Sequence, residues 1–233
     1  LEAAAVDDAA SRILLARALQ AVGRLDDAIA MLEVSFEARP DDATVATELG
    51  RLMIRHGDYE AAVALLEPYV EGTAAPYLPA RYWRAVAYEN IGRPSRASLE
   101  YEDFARAYNR GVISAADEMM YVALAMQRLG AYSDANNAFR EALEMEPESA
   151  DIRVAWGRLF VEKYRPDEAR ALAEEVLESN PDHPWARALL AETILDMEYD
   201  VDAVRREVAR IREVHPELPE ALELLVAVAI DNK

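Results

Sequence analysis

The chain has 233 residues, 52% of them hydrophobic, with 44 acidic against 25 basic residues and a formal net charge of −19. So acidic a surface repels phosphate backbones and argues against nucleic-acid binding, and no apolar run of 18 residues is present to insert into a membrane. With no cysteine, disulfides, thiolate metal sites and cysteine nucleophiles are all excluded; this fits the cytoplasm and leaves the periplasm open.

No initiator methionine and no signal-peptide pattern opens the sequence, so Leu1 to Asp8 reads as a remnant or as the end of something longer. Helix periodicity then begins. A first pair of helices is expected near Ala9–Val22 and Leu25–Ala38, with Asp41 or Asp42 placed to cap the next helix. The second pair carries Gly50 and Gly57 and is expected to kink or stop at Pro68. Residues Gly72 to Pro79 form a loop rich in breakers. The third pair starts at Ala80, places Pro94 in the first turn of its second helix, and runs about one turn longer, through Phe104 and Tyr108, before Gly111. Ser114 is positioned to cap the fourth pair. In the fifth, Tyr164 stands where a turn glycine is expected, followed by Pro166. The sixth opens at Pro184-Trp185, and its second helix slips register by one, with Val204, Val208 and Ile211 carrying the apolar stripe. A last helix, 219–230, closes the chain. Its Ala221, Leu222, Leu225, Val226 and Ala229 are assigned inward, leaving Leu224, Val228 and Ile230 outward. The chain then continues past this helix, or covers these residues in part locally, or uses the helix to pair with another molecule, as in a homodimer.

The spacing is periodic. Gly23, Gly57, Gly92 and Gly130 lie 34, 35 and 38 residues apart, and Pro147, Pro181 and Pro216 lie 34 and 35 apart. A period near 34 built of helix, turn, helix, turn marks a stacked helical solenoid in which each pair needs neighbours to bury its stripes. The fourth unit shows Val122-Ala123, Met126, Ala135, Phe139 and Pro147, and the fifth Trp156-Gly157, Phe160, Ala169 and Pro181. On these residues the chain resembles the tetratricopeptide repeat family over about residues 9 to 216. The resemblance implies an all-α right-handed superhelical solenoid of about 13 helices, in one domain, with units near 9–42, 43–76, 78–115, 116–149, 150–183 and 184–217.

A steric pattern supports that alignment. The eighth residue of each unit, where the two helices cross, is Ala16, Gly50, Ala85, Ala123, Gly157 or Ala191. The facing twentieth is Ala28, Ala62, Ala97, Ala135, Ala169 or Ala203. Ala and Gly make up under a quarter of the chain, and a general helical preference for Ala does not place them at two fixed offsets.

No catalytic constellation emerges, and the chain reads as a non-enzyme without cofactor or metal. His56, His183 and His215 stand near turns without ligand spacing and read as solvated. No phosphate-binding or nucleophile-elbow motif occurs. Acidic pairs such as Asp26-Asp27 and Glu174-Glu175 suit caps and outer faces. The resemblance instead implies a concave groove, lined by the first helix of each unit, that takes a protein or peptide partner. Carried onto this sequence, the partner-binding positions are Arg17, Thr47, Arg51, Arg55, Tyr82, Trp83, Val86, Met120, Tyr121, Leu124, Arg128 and Arg158. Arginine can fork a carboxylate, and Tyr, Trp and Met supply adaptable apolar contact. Such a surface suits a segment with apolar anchors and nearby acids. The Lys/Asn carboxylate clamp of the family is missing; Ile13, Arg17, Glu48, Pro79 and Trp83 hold those positions. The alternatives are a self-associating scaffold or a regulatory region of a larger enzyme.

Overall fold

The computed structural model describes residues 8–71 and 77–231; most of the expected loop at Gly72–Pro79 lies outside them. Among the described residues are thirteen α-helices, a single 3-10 turn and no strand. They fall into helix pairs, α1 (Ala9–Ala21) with α2 (Leu25–Ala38), α3 (Ala43–His56) with α4 (Tyr59–Leu66), α5 (Leu78–Asn90) with α6 (Pro94–Asn109) and α7 (Ala116–Arg128) with α8 (Tyr132–Met145). There follow α9 (Ala150–Glu162) with α10 (Pro166–Ser179), α11 (Pro184–Glu198) with α12 (Val201–Val214), and the unpaired α13 (Pro219–Asp231). The architecture is an all-α helical solenoid.

Two compact units divide the chain within α8. The first takes in the described residues up to Ala138 except Ala21–Gly23, and the second comprises those three and the residues from Phe139 on. In each, the small residues at the helix crossings are buried. Ala16, Ala28, Ala62, Ala85, Ala97, Ala123 and Ala135 are at most 1% exposed in the first unit, as are Ala169 and Ala191 in the second. A Cβ on Gly50 would stand 2.9 Å from the Leu66 side chain, and one on Gly157 would overlap Leu189 Cδ2. The backbones approach so closely because nothing larger intervenes. In α12 the register shifts by one: Val204 is fully buried while Ala203 is only partly so, and Val208 and Ile211 follow it into the core.

Local signals set the element ends. Asp42 accepts from the Thr44 and Val45 amides at 3.0 and 3.3 Å and so caps α3. Helix α4 stops at Leu66 and passes into a 3-10 turn, Glu67–Tyr69, that contains Pro68, so α4 is short. Residues Pro94 and Pro166 open α6 and α10, where a missing amide is tolerated. At 16 residues α6 exceeds its neighbours. Tyr164 adopts the left-handed conformation (φ 55°) that glycine takes in the preceding units, and Tyr199 repeats it (φ 51°).

Four expectations are corrected. Helix α5 begins at Leu78, inside the expected loop, with Pro79 in its first turn. Ser114 does not cap α7; Ala115 stands at that position without a side-chain bond, and Asp117 accepts from the Glu118 amide instead. His215 is 6% exposed, its ring edge-on to Trp185 at 6.0 Å, and is no solvated surface group. In α13 the buried face is Ala221, Leu224 and Val228, whereas Leu222 and Val226, assigned inward, are 46% and 58% exposed. That helix is apolar almost all round, so periodicity does not choose its face; packing against α11 and α12, with Leu218 as a fully buried anchor, does.

Candidate functional site

In the first unit the first helices of successive pairs, α3, α5 and α7, lie side by side, and their shared face carries most of the candidate residues. At one edge, Glu48 is buried to 5% on α3. One of its oxygens accepts from Arg17 Nε and the other from Arg51 Nε at 2.6 Å. Arg51 also donates to Gln20 Oε1 at 2.6 Å, a second buried polar group. Burial raises the Glu48 carboxyl, but the two guanidinium groups outweigh it and hold it below the usual range. Glu48 is an acid the sequence did not single out as a pairing centre. Its signal was an i,i+3 relation to Arg51 beside the small and apolar residues Val45, Ala46, Leu49 and Gly50.

The centre is aromatic. Tyr82 is 4% exposed and meets Trp83 edge-on at 5.3 Å, Tyr121 at 5.2 Å and Tyr101 at 5.9 Å. Trp83 Nε1 donates to the Tyr121 hydroxyl at 3.1 Å. Burial raises the phenol of Tyr121, and that of Tyr82 as well. At the far edge Arg128 pairs with Glu89 at 3.3 Å and lies beside the Tyr82 hydroxyl. Burial would lower the Arg128 guanidinium, but Tyr82 and Glu89 hold it above its ordinary value.

The twelve candidates therefore divide. Thr47, Tyr82, Val86 and Tyr121 are buried, with Thr47 donating to the Ala43 carbonyl at 2.6 Å. They form the backing of the face and offer a ligand little surface. Arg17, Arg55 and Arg128 are exposed, and Arg51, Trp83, Met120 and Leu124 are partly so. Arg158 belongs to the second unit, where it pairs with Glu220 at 3.1 Å. Beside it Glu192 is raised by burial, lowered by Arg158 and raised again by Asp196, Glu223 and Glu220.

Among the described residues no group of three or more His, Asp or Glu could hold a metal ion, and no helix is long and apolar enough to cross a membrane. His56 lies 2.8 Å from Asp58, and the Nδ1 of His183 accepts from the Ala186 amide as the cap of α11. A depression of about 310 Å³ is lined by Glu67, Glu71, Tyr88, Arg96, Leu99 and Glu100 and includes none of the candidate residues.

The class is thus a helical-repeat solenoid with a first-helix face of arginine and aromatic character. Models of the tetratricopeptide repeat match residues 21–78, 160–228 and 123–184, and the chain belongs to that family. No curated protein matches the sequence. Among solved structures the chain is similar to a tetratricopeptide repeat protein from Parabacteroides merdae, at 16% identity and a TM-score of 0.60 over 95% of this chain and 85% of that one. It is also similar to PilF of Pseudomonas aeruginosa (18% identity, TM-score 0.51, 82% and 85% covered). A weaker likeness is to YrrB, a tetratricopeptide repeat protein with an unusual peptide-binding site (18% identity, TM-score 0.47, 82% and 96% covered).

Proposed function

We propose that this chain is a non-catalytic protein–protein interaction module that captures a segment of a partner protein on the first-helix face of its first unit. The observation that carries the reading is the arrangement of that face. Partly exposed Trp83, Met120 and Leu124 share it with two arginine systems, Arg17–Glu48–Arg51 and Arg128–Glu89, tied together behind by the buried Tyr82–Tyr121 pair. Apolar side chains of a partner would seat on the three accessible residues, while its carboxylates would compete with Glu48 and Glu89 for the guanidinium groups. The family's architecture favours this use of first helices, and the buried aromatic backing pre-organises the face so that little ordering is lost on binding.

Affinity capture from lysate, repeated with Met120→Asp and Leu124→Asp, tests the reading. Both positions are partly exposed, so the fold should tolerate them, with the far-ultraviolet dichroism and melting curve as controls. The expected result is loss of the partners retained by the unmodified chain. Recovery of the same partners at equal strength would place binding elsewhere.

A further inference from the structure

Resting on the reading of the first-helix face as the partner surface, and going beyond it, we infer that Glu89 is a built-in stand-in for the partner's carboxylate on Arg128. When that carboxylate arrives, Glu89 passes to the Tyr101 hydroxyl. The starting observation is a buried donor with nothing to bond. Tyr101 is 2% exposed, and its hydroxyl is shut off from solvent without a hydrogen-bond partner. Buried polar atoms left in that state are few, and each calls for a reason. The hydroxyl lies among Tyr82, Glu89 and Arg128, all of which act on its ionisation. Burial first, then Tyr82 and Glu89, hold the phenol above its ordinary value against the pull of Arg128, so it stays a donor. The carboxylate beside it is that of Glu89, which in the free chain is turned to Arg128.

Of the two arginine systems on the face, this is the one built to give way. Glu48 is buried and held by both Arg17 and Arg51, so drawing a guanidinium away from it leaves a buried carboxylate undercompensated. The Glu89 side chain is 31% exposed and has one guanidinium partner, Arg128, itself 48% exposed. Moving Glu89 to Tyr101 gives it a new donor and satisfies the orphaned hydroxyl. Arg128, with the Tyr82 hydroxyl beside it, is then open to a second carboxylate in the same place. An internal occupant lowers the apparent affinity of every carboxylate ligand, and a neutral segment gains nothing by displacing it. Selectivity for an acidic segment is therefore set at Arg128. Neither Glu89, Tyr101 nor Arg128 stands at a position of the family's carboxylate clamp, which fall here on Ile13, Arg17, Glu48, Pro79 and Trp83.

Peptide titration followed by nuclear magnetic resonance tests this. The probes are acetyl-Leu-Glu-Leu amide, acetyl-Leu-Gln-Leu with a free terminal carboxylate, and the neutral acetyl-Leu-Gln-Leu amide. The Trp83 indole N–H reports the face and the Arg128 Nε–H reports the site. Both carboxylate peptides should bind more tightly than the neutral one, and the tighter of the two identifies a side chain or a chain end as the source. Glu89→Gln should tighten the carboxylate peptides by about fivefold, the scale of a half-exposed ion pair, and leave the neutral one unchanged. Glu60→Gln, the same charge change at an exposed position of α4, should do neither. Arg128→Gln should abolish the preference for a carboxylate. Tyr101→Phe removes a hydroxyl without a partner, so the melting temperature should hold, yet carboxylate binding should weaken by about threefold. That weakening should vanish once Glu89→Gln is also present. Unchanged affinity in Glu89→Gln, or an equal effect of Tyr101→Phe with and without it, overturns the inference. Peptides that shift the Trp83 indole with no preference for a carboxylate overturn it too, while leaving the face as the partner surface. Peptides that shift neither reporter count against both.

Discussion

The two units share one skeleton and differ in what they mount on it. In both, buried Ala or Gly stands at the crossings, with α12 the exception, where Val204 takes that place. In the first unit the first helices present Arg17, Arg51, Arg55 and Arg128 around an aromatic centre, with Glu48 and Glu89 as internal counterions. In the second, the partly buried Glu192 feels Asp196, Glu220 and Glu223 as well as Arg158, which pairs with Glu220 at 3.1 Å. The crossings fix the architecture and leave the exposed first-helix positions free to diverge, so the fold alone does not assign the binding chemistry.

The largest expected effect breaks the counterion arrangement of the first unit. Glu48→Gln leaves two guanidinium groups around a buried neutral amide and should destabilise the chain by about 3 kcal/mol at neutral pH, measured by urea unfolding. The Glu48 carboxyl is held below its unfolded value, so its contribution is present above the ordinary carboxylate pKa and is lost as pH falls through the lowered folded one. The gap between wild type and variant should therefore close in acid. Next in size is the shared skeleton. Ala135→Leu overpacks a fully buried crossing and should cost about 2 kcal/mol; an unchanged melting temperature would mean that the crossing does not set the helix approach.

Smaller effects fall in the second unit, with the opposite sign. Tyr164 is 93% exposed and held at φ 55°. Tyr164→Gly removes backbone strain and should stabilise by about 1 kcal/mol, offset in part by the added freedom of the unfolded chain; a thermal melt reads the net sign. Glu192 has a raised carboxyl, through burial first and then Asp196, Glu223 and Glu220, against the pull of Arg158. Its charged form opposes folding, so stability is greatest below the unfolded pKa and falls as pH rises through the raised folded one. Glu192→Gln should then stabilise by about 0.5 kcal/mol at neutral pH, the scale of a partly exposed site. Opposite signs for Glu48→Gln and Glu192→Gln would confirm that the two units differ in electrostatic character, and like signs would erase the distinction.

The sequence revealed the solenoid because a steric demand recurs at fixed offsets: a residue such as Ala123 or Gly157 must be small whatever surrounds it. The one-residue slip at Val204 was legible from a different signal, the apolar stripe of Val204, Val208 and Ile211. Side-chain burial on the first helices was less legible. Tyr82 and Tyr121 are amphipathic and suit either a lining or a core, and which they become depends on contacts between helices, through Tyr101, Phe104 and Trp83, that no single-helix pattern contains. Glu48 and Gln20 were hidden likewise, because a bond between residues 31 apart, such as Gln20 to Arg51, appears only once two pairs have stacked. The burial of His215 depended on Trp185, thirty residues away.

The most direct test of the binding face is site-specific photo-crosslinking. A photoreactive amino acid at Leu124, on the first-helix face, is compared with one at Leu99, which is 61% exposed on the second helix α6. The expected result is covalent capture of a partner peptide from Leu124 and none from Leu99. Capture from Leu99 alone, or equally from both, would contradict the assignment of the first-helix face as the surface that holds the partner.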